Sequence, residues 1–279
     1  MRTLKKLLVN PLFVCGAATF FFFVLAALLL PLLMPLEPFT TNADPFLPPG
    51  RGHLLGTNNL GQDVFARLVY GLRSSLYVGL AAGAFATALG TGIGIVAGYK
   101  GGLIDNLLTL LTNLLVVIPQ LIILILISNS IESRTLTLLA FFIGITAWVW
   151  VARALRAQAS SLRNRDHVNI ARLNGQGTAT ILARHILPYV FSYVFMAFVM
   201  QLGSGIFAEA ALSMIGLGPQ GSGFVSLGRM LNEAQANEAL DSGYWWVFLP
   251  PTIIITLIIF SLYLINTAME GVFNPRLRT

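Results

Sequence analysis

A chain of 279 residues with one cysteine, three histidines and 10% charged residues has little from which to build an active site. Cys15 stands alone inside an apolar run, so no disulfide framework exists and the residue reads as a small apolar filler. None of His53, His167 and His185 has metal-ligand spacing, and no His-Glu-x-x-His or paired intramembrane aspartate occurs. A Gly-x-x-x-x-Gly-Lys-Ser/Thr phosphate loop is also missing. Gly98-Tyr99-Lys100-Gly101-Gly102 lacks the strand–loop–helix setting that a nucleotide site needs. No nucleophile–base constellation is visible. Together these absences argue against an enzyme, a bound metal or a bound cofactor, and any ATP must be handled by another chain.

Apolar sequence is what the chain has instead: 56% of residues are hydrophobic, and the mean hydropathy is +0.78. A bilayer crossing takes roughly 20 apolar residues. Six stretches are candidates: Pro11–Pro35, Ser74–Gly98, Ile104–Ser130, Leu136–Val151, Tyr189–Leu217 and Trp245–Ala268. The first follows Arg2, Lys5 and Lys6 but offers no small-residue cleavage site, so a retained helix is expected rather than a signal peptide. The expected fold class is an all-α polytopic membrane protein with six transmembrane helices. With the N-terminus in the cytoplasm, 12 of the 17 lysines and arginines fall inside, and Arg51, Arg67, Arg73, Arg134 and Arg229 fall outside. The positive-inside rule then makes both termini cytoplasmic. The pI of 9.8 follows from this asymmetry and calls for no nucleic-acid partner.

One long segment cannot sit in hydrocarbon. Arg153 to Pro188 carries Arg153, Arg156, Arg163, Arg165, Arg172 and Arg184. Gly175 and Pro188 suggest two short helices with a glycine break between them and a proline stop. Such a basic, folded loop reads as a docking site for something in the cytoplasm. Elsewhere, Glu37 to Gly56 reads as an outer loop. Asp63 to Tyr70 reads as a short interfacial helix whose Val64, Phe65, Leu68 and Val69 face the membrane surface, with an Asp63–Arg67 pair. The second span is dense in glycine and alanine, which marks a central helix approached closely by its neighbours. Trp245 and Trp246 read as an interfacial aromatic belt.

Polar residues within the spans are few, and Asn113, Gln120, Gln201, Glu209 and Ser213 are the candidates for a translocation pathway. A carboxylate at membrane depth costs on the order of 3 kcal/mol on insertion scales. Glu209 therefore has two readings: a group on the pathway, or an outer-end group that caps or pairs with an arginine of a partner chain.

Two parts of the loop, Asn169-Ile170-Ala171-Arg172-Leu173-Asn174-Gly175 and Arg184-His185-Ile186-Leu187-Pro188, carry a resemblance. They resemble the Glu-Ala-Ala coupling loop of bacterial ABC-importer permeases. The stretches His53 to Gly71 and Ala208 to Gly218, with the C-terminal Asn274-Pro275-Arg276-Leu277-Arg278, are similar to the dipeptide/oligopeptide/nickel permeases, and to their C-type subunit. The resemblance implies the type I ABC-importer permease fold in a bacterial or archaeal cytoplasmic membrane. It also implies a homologous B-type permease, two cytoplasmic ATPases that bind ATP and Mg, and an extracytoplasmic solute-binding protein. The ATPase-coupling residues would be Val168, Asn169, Ala171, Gly175, Arg184, His185 and Pro188. The usual Glu and Ala of the motif are Asn169 and Ile170 here, so no carboxylate is available at that position.

Peptides are the cargo this resemblance implies first. Residues 221–251 resemble those of members carrying oligosaccharides, so oligosaccharides, or a nickel chelate, remain the alternative. An ion-coupled secondary transporter would need several intramembrane ionisable residues and an internal repeat, whereas Glu209 is the one carboxylate at membrane depth and no repeat is seen.

Helical angles give a separate reading of the loop. At about 100° per residue, Val168 and Ala171 share one side and Ile170 and Leu173 lie roughly opposite. Two opposed apolar stripes fit a helix held between its own spans and a partner. The organisation expected is residues 1–73 (first span, outer loop, interfacial helix), 74–271 (core of five spans with the loop at about 153–188) and a 272–279 cytoplasmic tail.

Overall fold

The computed structural model of the chain describes residues 2–50, 52–221 and 223–273. Arg51, Ser222, the Asn274–Arg278 motif and most of the expected 272–279 tail lie outside the described residues, as do the side chains of Arg2 and Lys5. The first helices are α1 (Arg2–Val9) and α2 (Pro11–Leu33). Between them Asn10 accepts from the Leu12 N–H, and Pro11 sits at the first helical position, where its missing donor costs nothing.

Helix α3 (Val64–Lys100) runs for 37 residues without a break. It corrects the expected separate interfacial helix, and the expected boundary at 73/74 falls inside it. Val64, Leu68 and Val69 are buried in the protein rather than turned to a membrane surface. The Asp63–Arg67 pair does not form, because both partners are taken. Asp63 caps α3 through the Ala66 N–H at 2.8 Å and meets His53 at 2.7 Å. Arg67 turns to Gln62 and to Glu233.

The expected third span is broken. Helices α4 (Gly102–Val117) and α5 (Gln120–Asn129) meet at an angle of 79°. Pro119 is the cause: its ring drives Ile118 into extended backbone (φ −91°, ψ 120°), which no helix can pass through. Helix α6 (Leu136–Leu162) extends well past the expected end at Val151, so Arg153 and Arg156 are helical rather than part of a loop.

After α7 (Asp166–Leu173) the chain is helical again from Thr178 to Met214, as α8 (Thr178–Ile181), a π turn (Leu182–Ile186) and α9 (Leu187–Met214). Pro188 therefore does not stop the chain. A proline clashes with the carbonyl four residues earlier and cannot bond to it. The wider π turn, closed by Leu187 N–H to Leu182 O, re-aims that carbonyl and absorbs the defect. Helices α10 (Leu227–Ala236) and α11 (Trp245–Phe273) complete the order. Among the described residues five helices are long and apolar enough to cross a membrane, and the bent α4–α5 pair makes six if its two halves form one span.

Helix α3 is central because its glycines admit neighbouring backbones. A Cβ on Gly90 would come to 2.7 Å of Trp148 O, and one on Gly94 to 2.5 Å of Ala152 O, so α6 lies against this face. On another face, a Cβ on Gly83 would come to 2.8 Å of Leu202 N in α9. The outer loop is pinned to α11 by Trp246, whose indole N–H donates to Thr57 O at 3.2 Å. Trp246 is thus a core residue instead of part of a belt, while Trp245 stays exposed.

Widening Gly94 should force α3 from α6. Gly94→Leu is expected to cost about 3 kcal/mol or more, read as a lower Tm of the detergent-solubilised protein. Gly92→Leu, where a Cβ meets nothing within 4 Å, should shift stability by less than about 0.5 kcal/mol.

Candidate coupling site

Helix α7 owes its position to two residues. Val168 and Ala171 are 0% and 2% exposed. They are packed in one cluster with Ile95 and Tyr99 at the end of α3, Leu155 and Ala159 of α6, and Ile181, Ile186 and Val190 beyond. Its C-terminus is closed by a two-bond cap. Gly175 N–H donates to Arg172 O and Gln176 N–H to Ala171 O, each at 3.1 Å, with Gly175 at φ +71°. That left-handed turn suits glycine, and it lets the chain reverse directly into α8.

Side-chain bonds brace the return. His167 stacks on Tyr189 with ring centroids 4.5 Å apart, and its Nε2 donates to His185 O at 3.2 Å. His185 Nε2 donates to Gln176 Oε1 at 2.9 Å. The guanidinium of Arg172 lies 5.7 Å from the centre of the Tyr99 ring. Arg156 forms a two-point pair with Asp105 of α4, and Arg153 donates to Asn113 at 2.5 Å. These two arginines bond back to α4, Arg153 while still exposed, and Arg165 and Arg184 are exposed as well.

What α7 leaves outside is apolar. Ile170 is 57% and Leu173 86% exposed, on the side opposite Val168 and Ala171. Asn169 lies between the two sides, and its amide donates to Asn164 O at 3.2 Å. Gly175 and Arg184 are exposed beside it, His185 braces from behind, and Pro188 opens α9. Of the expected coupling residues, Val168 and Ala171 are buried beneath α7 and the other five lie at or near the surface. Ile170 and Leu173, which the motif does not single out, supply the outward face of the helix.

The five residues considered for a pathway are scattered. Among them Gln120 lines a cavity of about 540 Å³ between α5, α9 and α11, together with Ser204, Met200, Phe207 and Tyr263. Asn113 is held by Arg153, and Gln201 turns toward α6 to donate to Ala147 O at 2.6 Å. Glu209 is 0% exposed. Its two oxygens accept from Ser75 and Ser213 at 2.7 Å each, while Leu227 N–H donates to Ser75 Oγ at 3.3 Å. Among the described residues the Glu209 carboxyl group joins α3, α9 and the start of α10 through hydroxyls. Met200, Phe207 and Tyr263 escaped notice because a search for polar residues passes over an apolar wall. The proline break at 119 was the available signal.

The protein-family model for the binding-protein-dependent transport system inner membrane component matches residues 90–279. A dipeptide transport system permease protein of Bacillus subtilis (strain 168) is 32% identical over 278 residues, covering 99% of this chain and 85% of its own length. An oligopeptide transport system permease protein of Mycobacterium bovis is 29% identical over 282 residues, covering 100% and 96%. A putative peptide transport system permease protein of Brucella abortus is 33% identical over 279 residues, covering 99% and 92%. The chain therefore belongs to the family of inner membrane components of binding-protein-dependent transport systems, in its ABC-importer branch of C-type dipeptide and oligopeptide permeases.

Proposed function

We propose that the chain is one of two permease subunits of an ATP-driven peptide importer, and that α7 is the element gripped by a cytoplasmic ATPase. The observation that carries this reading is the outward pair Ile170 and Leu173, 57% and 86% exposed on a helix whose other side is locked into the protein core. A helix at the end of a membrane bundle gains nothing in water from an exposed leucine. A partner cleft that receives both side chains would recover roughly 1.5–3 kcal/mol for each. With Asn169 in place of a carboxylate, shape and apolar burial dominate this contact, ringed by Arg165 and Arg184.

In this reading the coupling end and both termini face the cytoplasm. A homologous permease completes the passage, a solute-binding protein delivers peptide from outside, and ATP and Mg are bound by two ATPases. Closure of the ATPases moves α7, and the motion passes into the rigid helix Thr178–Met214. At its far end that helix holds α10 through Ser213 and Glu209, so a shift at the coupling end is felt at the outer mouth. The cavity between α5, α9 and α11 is this subunit's half of the passage. The relatives named for peptides favour peptide over oligosaccharide or metal chelate.

Ile170→Asp and Leu173→Asp should each weaken co-purification of the ATPases by tenfold or more, since about 1.4 kcal/mol is a factor of ten, with insertion in the membrane unchanged. Wild-type ATPase recovery from the double variant would count against the site. In reconstituted vesicles, uptake of peptide should require ATP, both permeases and the binding protein. Uptake by this chain alone on an ion gradient would refute the importer reading.

A further inference from the structure

A second cavity, of about 420 Å³, opens at the coupling end between the last turns of α6, the first turns of α9 and the last turns of α11. The rings of Tyr189, Tyr193 and Phe273 line it with Met196, and Gln158 and Ser192 add neutral polar groups. Glu270 is the one charged residue on this wall. Among the described residues no cation lies within ion-pair distance of that carboxylate, since the ion pairs present all involve other acids. The cavity at α5 uses none of these residues, and of them Tyr189 also touches α7, through its stack on His167.

A carboxylate beside aromatic rings can recognise a cation: the charge attracts, and the negative faces of rings add to the attraction even at an exposed site such as Glu270. The ion has to be organic. A hard metal cation needs six or more oxygen ligands, or several carboxylates, and this wall supplies one carboxylate, one amide and hydroxyls. The volume lies within the roughly 300–1,000 Å³ of small-molecule sites. It suits an ammonium group on a short chain, with Met196 and Phe273 covering the carbons.

We propose that this cavity binds an organic ammonium group, with Glu270 as the counter-ion and Tyr189 and Tyr193 as the aromatic wall. Two sources share that chemistry: the amino terminus or lysine side chain of a peptide leaving the passage, and the headgroup of an aminophospholipid. The cargo source rests on the peptide-import reading; ammonium binding itself does not.

The test uses the complete transporter in vesicles, with Ser192→Cys as a reporter inside the cavity and a neutral maleimide as the probe. In phosphatidylglycerol vesicles, excess trialanine amide, which has a free ammonium, should slow labelling by roughly two- to fivefold, the order expected for a cation over a ring at an exposed site. N-acetyl-trialanine amide should not slow it. That outcome supports the site with cargo as its source. Slowed labelling without peptide when phosphatidylethanolamine is included supports it with lipid as the source. In either case Glu270→Gln should abolish protection, Tyr193→Leu should reduce it and Tyr193→Phe should keep it. Protection that is absent with both ammonium compounds, equal for the acetylated peptide, or unchanged in Glu270→Gln overturns the proposal. Since the readout is labelling, this failure is distinct from a failure of peptide uptake.

Discussion

Close approach of backbones is the constraint on which the rest of this protein depends. Within a bilayer an apolar side chain gains little by leaving lipid for protein, so spans are held by contact at short range and by a few polar bonds. Gly90 and Gly94 give α3 that contact with α6, and Gly83 gives it with α9. Helix α7 inherits its position from this assembly, because Val168 and Ala171 rest on the ends of α3 and α6 and on the start of α9. Moving any of the three would move its exposed face.

Prolines show how context decides a local rule. Pro119 and Pro188 are both set in helical surroundings, and both deny the chain a hydrogen bond. At 119 the helix breaks and turns by 79°, beside a cavity where non-helical backbone at membrane depth has a place to be. At 188 a π turn spreads the defect over five residues, and a single rigid helix results. The difference matters, since a break at 188 would have uncoupled the loop from the span that follows it.

Polar side chains within the bundle mostly serve as latches. Glu209 accepts from Ser75 and Ser213, and Arg67 meets Glu233, so two sets of polar contacts anchor α10 over the ends of α3 and α9. A fully buried carboxyl at this depth is affordable only with such partners. Rarity of polar residues in a span points to importance, but not to a role. Ser213 lies one helical turn from Glu209, but the hydroxyl of Ser75 comes from 134 residues away, and spacing along the sequence carries no trace of that meeting.

The apolar stretches, the basic loop and the opposed stripes of α7 were legible in the sequence, because each is written in local composition or in a period of 3.6 residues. Periodicity separated Val168 and Ala171 from Ile170 and Leu173 correctly, since neighbours on one helix turn by a constant angle whatever surrounds them. Tertiary structure alone decided which stripe is buried, whether Asp63 takes Arg67 or His53, whether a proline breaks or bends, and which polar groups meet. Those outcomes depend on which partner another helix brings within about 3 Å, and that is a property of the assembled bundle.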